Sequence, residues 1–143
     1  MKRATPRLSP ERSELSLSEV VQSAIFEGES IENMEFEREL LSDVSCTEME
    51  FSGCRFRNVQ FTGLEIRRIH LCDCAFEHCD LSGLPLRDGT ILRSAFTDCR
   101  LTGCGFDRML LRDALFSDCT LKYASFSDCK LERFAFEGCD LSE

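Results

Sequence analysis

Apolar residues recur every five positions over most of this chain. The series runs Phe26, Ile31, Phe36, Leu41, Cys46, Phe51, Phe56, Phe61, Ile66, Leu71, Phe76, Leu81, Leu86, Ile91, Phe96, Leu101, Phe106, Leu111, Phe116, Leu121, Phe126, Leu131, Phe136 and Leu141. All 24 members are apolar, and at 43% hydrophobic composition chance would give this with a probability on the order of one in a billion. A period of five is neither the helical period of about 3.6 nor the strand period of about 2. The backbone is therefore expected to turn a corner every five residues.

A second inward set lies two residues before each centre and includes Val44, Met49, Val59, Leu64, Ile69, Ala114 and Ala124. Eight of the ten cysteines belong to it: Cys54, Cys74, Cys79, Cys99, Cys104, Cys119, Cys129 and Cys139. A small thiol suits a narrow core already holding bulky Leu and Phe. The other positions of each unit are mostly polar, as in Phe116-Ser117-Asp118-Cys119-Thr120, and should face water.

In these units the chain resembles the pentapeptide-repeat family, whose unit is a small residue, a polar residue, a central Leu or Phe, and two more polar residues. The resemblance covers residues 26–143. It implies an all-β fold, a right-handed quadrilateral β-helix with about 20 residues per coil, and about six coils stacked into a rod roughly 28 Å long. Reading every twentieth residue then gives columns that suit stacking: Phe36, Phe56, Phe76, Phe96, Phe116 and Phe136 in one, Leu41, Phe61, Leu81, Leu101, Leu121 and Leu141 in another, and Cys79, Cys99, Cys119 and Cys139 in a third.

Residues 1–25 lack the beat and read as an N-terminal arm or cap, extended around Pro6 and Pro10, with a short capping turn from Ser18. Glu29 and Glu39 fall on inward positions, so the first coil should be irregular. Around Gly83-Leu84-Pro85-Leu86-Arg87-Asp88-Gly89 a distortion is expected, because Pro85 lacks a backbone donor and Gly89 leaves an inward position empty. The register otherwise runs without insertion, which predicts no projecting loops. The last units stop in mid-pattern, pointing either to further coils in a longer protein or to two chains meeting end to end through the C-terminal coil.

The 143 residues fit one domain, with 26 acidic and 17 basic residues for a net charge of −9. This sign disfavours direct nucleic-acid binding and anionic membranes. No apolar run is long enough to span a bilayer or resembles an export signal, so the expected compartment is the cytoplasm, with the cysteines as free thiols. His70, Cys72, Cys74, His78 and Cys79 resemble a metal-ligand cluster, but the beat sends Cys74 and Cys79 inward and the other three outward. No metal, cofactor or catalytic residue is assigned, and a narrow filled rod offers an enzyme no concave site. Cys72 is the best candidate for a reactive surface thiol.

Charge is the remaining functional signal. From residue 26 onward 23 acidic residues face 13 basic ones. That is one net negative charge per about 2.8 Å of rod, against about 1.7 Å for duplex DNA. Glu35, Glu37, Glu77, Asp98, Asp118 and Glu137 sort into one acidic strip over the Phe column, with no basic residue after Arg57. The quinolone-resistance members of the family imitate DNA and bind type II topoisomerases, so the resemblance implies gyrase or topoisomerase IV as partner and the strip as the contact. A scaffolding module with another protein partner is the alternative.

Overall fold

The computed structural model describes residues 3–142, which form a β-solenoid of about six coils capped at one end by a helix. Parallel pairing with a constant offset of one coil defines it. Glu35–Glu37 lies on Arg55–Arg57, which lies on Ala75–Glu77, and the same face continues through Ala95–Thr97, Leu115–Ser117 and Ala135–Glu137.

The corners explain why five residues suffice for a side. Two residues after most centres the backbone enters the left-handed region, with φ between 44° and 61° at fifteen non-glycine residues. Nine of these are Asn or Asp, among the side chains that tolerate this conformation best, and glycines occupy five further corners at Gly53, Gly63, Gly83, Gly103 and Gly138. The alternation of in and out thus restarts at each corner.

Inside, the Phe column stacks as the periodicity predicts. Ring centroids are 4.7 Å apart for Phe56–Phe76 and Phe76–Phe96 and 4.8 Å for Phe96–Phe116, with interplanar angles of 10°, 4° and 7°. At the ends the stack loosens, to 5.6 Å for Phe36–Phe56 and 5.4 Å for Phe116–Phe136. The cysteine column does more than fill space. Each thiol donates to a main-chain carbonyl of the preceding coil: Cys79 to Phe56 at 3.4 Å, Cys99 to Phe76 and Cys119 to Phe96 at 3.3 Å, and Cys139 to Phe116 at 3.1 Å. A thiol is thus both a small apolar residue and a weak donor. All ten cysteines are free thiols, and burial pushes Cys104 up to about 12.

The expected distortion at Pro85 is present. Pro85–Arg87 pairs onward with Gly105–Asp107, whereas the strand Glu65–Cys72 meets the next coil only over His70–Cys72. Without an N–H, Pro85 cannot continue the ladder from the coil before it. Gly89 is buried, and a Cβ there would run into the Ile69 carbonyl, so only glycine fits.

The N-terminal end differs from expectation. In place of a short turn from Ser18, a helix spans Leu17–Glu27, capped by Ser16, whose hydroxyl accepts from the Glu19 amide while the Glu19 carboxylate accepts from the Ser16 amide. Gly28, at φ 69°, ends it. Leu17, Val20 and Val21 close the end of the core. Phe26 matches the five-residue count but lies on this helix and is 91% exposed, so the coils begin with Ile31. Glu39, on a nominally inward position, reaches the helix start and accepts the Leu17 amide at 2.7 Å.

Candidate protein-binding face

The six carboxylates of the acidic strip lie on the Phe face and its edge, but their surroundings divide them. Arg55 and Arg57, one coil from Glu35 and Glu37, sit between Glu35 and Glu77. Arg55 lies 3.7 Å from Glu35 and 3.4 Å from Glu77, and Arg57 lies 3.6 Å and 3.5 Å from the same two carboxylates. Arg12 binds Glu37 at 2.6 Å. Glu35, Glu37 and Glu77 therefore belong to an internally compensated cluster.

Asp98 and Asp118 are different. Both occupy left-handed corner positions and are exposed, one coil apart. No Arg or Lys among the described residues pairs with either, and the cation-capable neighbour of Asp98 is His78, at 3.9 Å. Glu137, on the next coil, is exposed and lies 3.9 Å from Arg3. Asn58, Gln60, His78, Asp80, Asp98 and Arg100 line a shallow groove beside this corner. The open acidic surface is thus Asp98 and Asp118, continued on the C-terminal half of the rod by Glu137, which only Arg3 approaches.

The neighbouring corner reverses the logic. Its column reads Asp73, Arg93, Asp113, Arg133, and each arginine reaches back one coil to form a two-pronged pair. Arg93 approaches Asp73 at 2.8 and 3.0 Å, and Arg133 approaches Asp113 at 2.8 and 3.2 Å. The Arg133 guanidinium, helped by the Ala4 amide, holds the Asp113 carboxyl at about 2. Burial pushes Asp73 up, but Arg93 and the Arg7 amide outweigh it and hold that carboxyl below its usual range.

Along this corner runs the N-terminal segment, a feature that residue-by-residue reading missed. The Ala4 amide donates to Asp113 at 3.0 Å, the Arg7 amide to Asp73 at 3.1 Å and the Glu11 amide to the Asn33 carbonyl at 3.1 Å. Its local signal was visible as a period of two: Ala4, Pro6, Leu8 and Pro10 are half-buried, while Thr5, Arg7, Ser9 and Glu11 are exposed.

His70 and His78 point outward, whereas Cys74 and Cys79 are buried in the core. Among the described residues no group of His, Cys, Asp and Glu is placed to hold a metal ion. His70 instead contacts Thr90 Oγ1 at 3.0 Å and Glu48 at 3.4 Å. Cys72 is half-buried rather than exposed. Burial and the adjacent Asp73, to which its thiol donates at 3.4 Å, push it above the ordinary thiol range, the wrong direction for a reactive thiolate. No helix of the described residues is long and apolar enough to cross a membrane.

A family model for a pentapeptide repeat region matches residues 69–143. The chain belongs to the pentapeptide-repeat family. A solved pentapeptide-repeat protein, Rfr23 from the cyanobacterium Cyanothece 51142, is similar over 88% of this chain and 99% of its own, with a TM-score of 0.65 at 11% identity, a likeness of fold. Two trypsin-treated forms of QnrB1, a plasmid-mediated fluoroquinolone resistance protein, match at 27% and 23% identity. The matches cover 80% and 98% of this chain and 64% and 72% of theirs, with TM-scores of 0.26 and 0.30. No curated protein sequence matches this pentapeptide-repeat chain.

Proposed function

We propose that this pentapeptide-repeat rod is a non-enzymatic binding protein of the cytoplasm whose acidic corner imitates DNA and docks on the DNA-binding surface of a type II topoisomerase, gyrase or topoisomerase IV. The observation that carries this reading is the stack of Asp98 and Asp118, continued by Glu137, on a rod where Glu35, Glu77, Asp73 and Asp113 are matched by arginines. Exposed like charges one coil apart, about 4.8 Å, repel each other, so beyond the corner that each aspartate forms, their charge adds nothing to the fold. Their value lies with a cationic partner, which would gain from them as it gains from phosphates. Glu35, Glu37 and Glu77 extend the strip but contribute less, because Arg55, Arg57 and Arg12 already satisfy them.

The test is a titration of the protein into a gyrase supercoiling reaction with and without a quinolone, beside the Asp98→Lys, Asp118→Lys, Glu137→Lys variant. Inhibition of supercoiling or relief of drug inhibition at low micromolar wild type, weakened at least ten-fold in the variant and by added salt, is expected. No effect from either folded protein would overturn the reading.

A scaffolding module for another protein is the second reading. It is favoured by the compensated Arg55–Arg57 cluster, which offers a partner both signs of charge.

A further inference from the structure

We infer that the corner carrying Asp73 and Asp113 is a binding track for an extended basic peptide segment of a partner protein, occupied in cis by residues 3–12 when that partner is absent. The spacing of donors and acceptors supports it. Asn33, Asp73 and Asp113 are successive positions two coils apart on one column, a step of about 9.6 Å at about 4.8 Å per coil. The segment bridges these steps with three residues from Ala4 to Arg7 and four from Arg7 to Glu11, spans of about 10 and 13 Å for extended chain at about 3.3 Å per residue. Main-chain amides meet the rod at each step, so recognition depends on an extended backbone more than on particular side chains.

Side chains add polarity and charge selection. Ala4, Pro6, Leu8 and Pro10 turn toward the rod, and the prolines favour the extended form before docking. Arg12 pairs with Glu37 near one end of the rod, and Arg3 approaches Glu137 near the other. The segment thus lays its cations on carboxylates of the acidic strip. An incoming extended segment with an arginine or lysine at each end of a nine-residue step, as Arg3 and Arg12 are spaced, would reproduce these contacts and displace the resident one. The cis segment acts at high effective concentration, so it sets a threshold that a weak or wrongly charged peptide does not pass.

The full-length chain carrying Ala4→Pro, Arg7→Pro and Arg12→Glu loses two of the three amide donors and the Glu37 pair, releasing residues 3–10 from Asp73 and Asp113 without touching the rod. A fluorescently labelled peptide of residues 3–13 is then titrated into wild type and variant. Saturable binding at least ten-fold tighter to the released variant is expected, weakened by 0.5 M salt, where the Debye length falls to about 4 Å, and abolished by adding Asp73→Ala and Asp113→Ala. A released variant with unchanged circular dichroism and elution volume that binds no better than wild type would overturn the inference, as would binding indifferent to Asp73 and Asp113. Should the triple variant lose its fold, Arg12→Glu alone, which alters only an exposed side chain, is read in the same way. No topoisomerase enters these measurements, so their outcome is separate from that of the supercoiling test.

Discussion

The corner carrying Asp73, Arg93, Asp113 and Arg133 and the corner carrying His78, Asp98 and Asp118 use the same left-handed residue, flank the same Phe face and repeat at the same interval. Yet the first alternates its charges and closes them into pairs, whereas the second stacks two aspartates. In the first column each carboxylate is sheltered, with side-chain exposure of 13% for Asp73 and 8% for Asp113. In the second, repulsion between neighbours about 4.8 Å apart amounts to about 1 kcal/mol in water. Backbone geometry sets neither arrangement, since Asp serves the left-handed turn equally well in both. One column is closed by pairs within the chain, the other is left open to solvent.

The largest effect should come from breaking the paired corner. Asp73→Arg sets two guanidiniums on adjacent coils and should cost about 2–3 kcal/mol in urea unfolding. Adding Arg93→Asp to exchange the pair should recover at least half of that loss. If the exchange recovers nothing, the pair is not what the corner depends on.

Acid comes next. The carboxyl of Asp113 is held at about 2 against about 3.9 for a free aspartate, so its contribution is fully present above pH 4 and is lost as pH falls through about 2. The Ala4 amide resonance, which reports on Asp113, should titrate with a midpoint near 2 while the rod persists. A midpoint near 4 would show that Arg133 and the N-terminal segment do not engage it.

The smallest effect belongs to the open corner. Asp98→Arg places a cation beside Asp118 and should stabilise the rod by at most about 0.5 kcal/mol, as exposed pairs do, while weakening any effect on a topoisomerase. Opposite signs for stability and activity at Asp98, and matching losses at Asp73, would separate the two corners.

Much of this was readable along the chain, because the core of a stacked rod is local and periodic. The Phe column, the inward cysteines and the break at Pro85 each follow from residue type at a fixed spacing. The corner conformation was legible too, in the recurrence of Asn, Asp and Gly two residues after the centres, although polarity alone hid it among solvent-facing positions. Ser16-Leu17-Ser18-Glu19 spelled a capping box, and the beat obscured it by enrolling Phe26, whose position matches the count by coincidence. The division of the acidic strip was not legible in the same way. Arg12 meets Glu37 through an arm that folds back along the rod, and Ala4 meets Asp113 across 109 residues. Such contacts depend on where the chain goes after the periodic part has assembled.

The constant pairing offset of one coil has a further consequence for how such a surface changes over generations. Duplicating or deleting twenty residues leaves every core neighbour with an equivalent one and shifts the outer groups along the axis by one step of about 4.8 Å. Distances between recognition groups on this rod can therefore be lengthened or shortened only in whole increments, as teeth on a rack, while single substitutions alter which tooth carries charge.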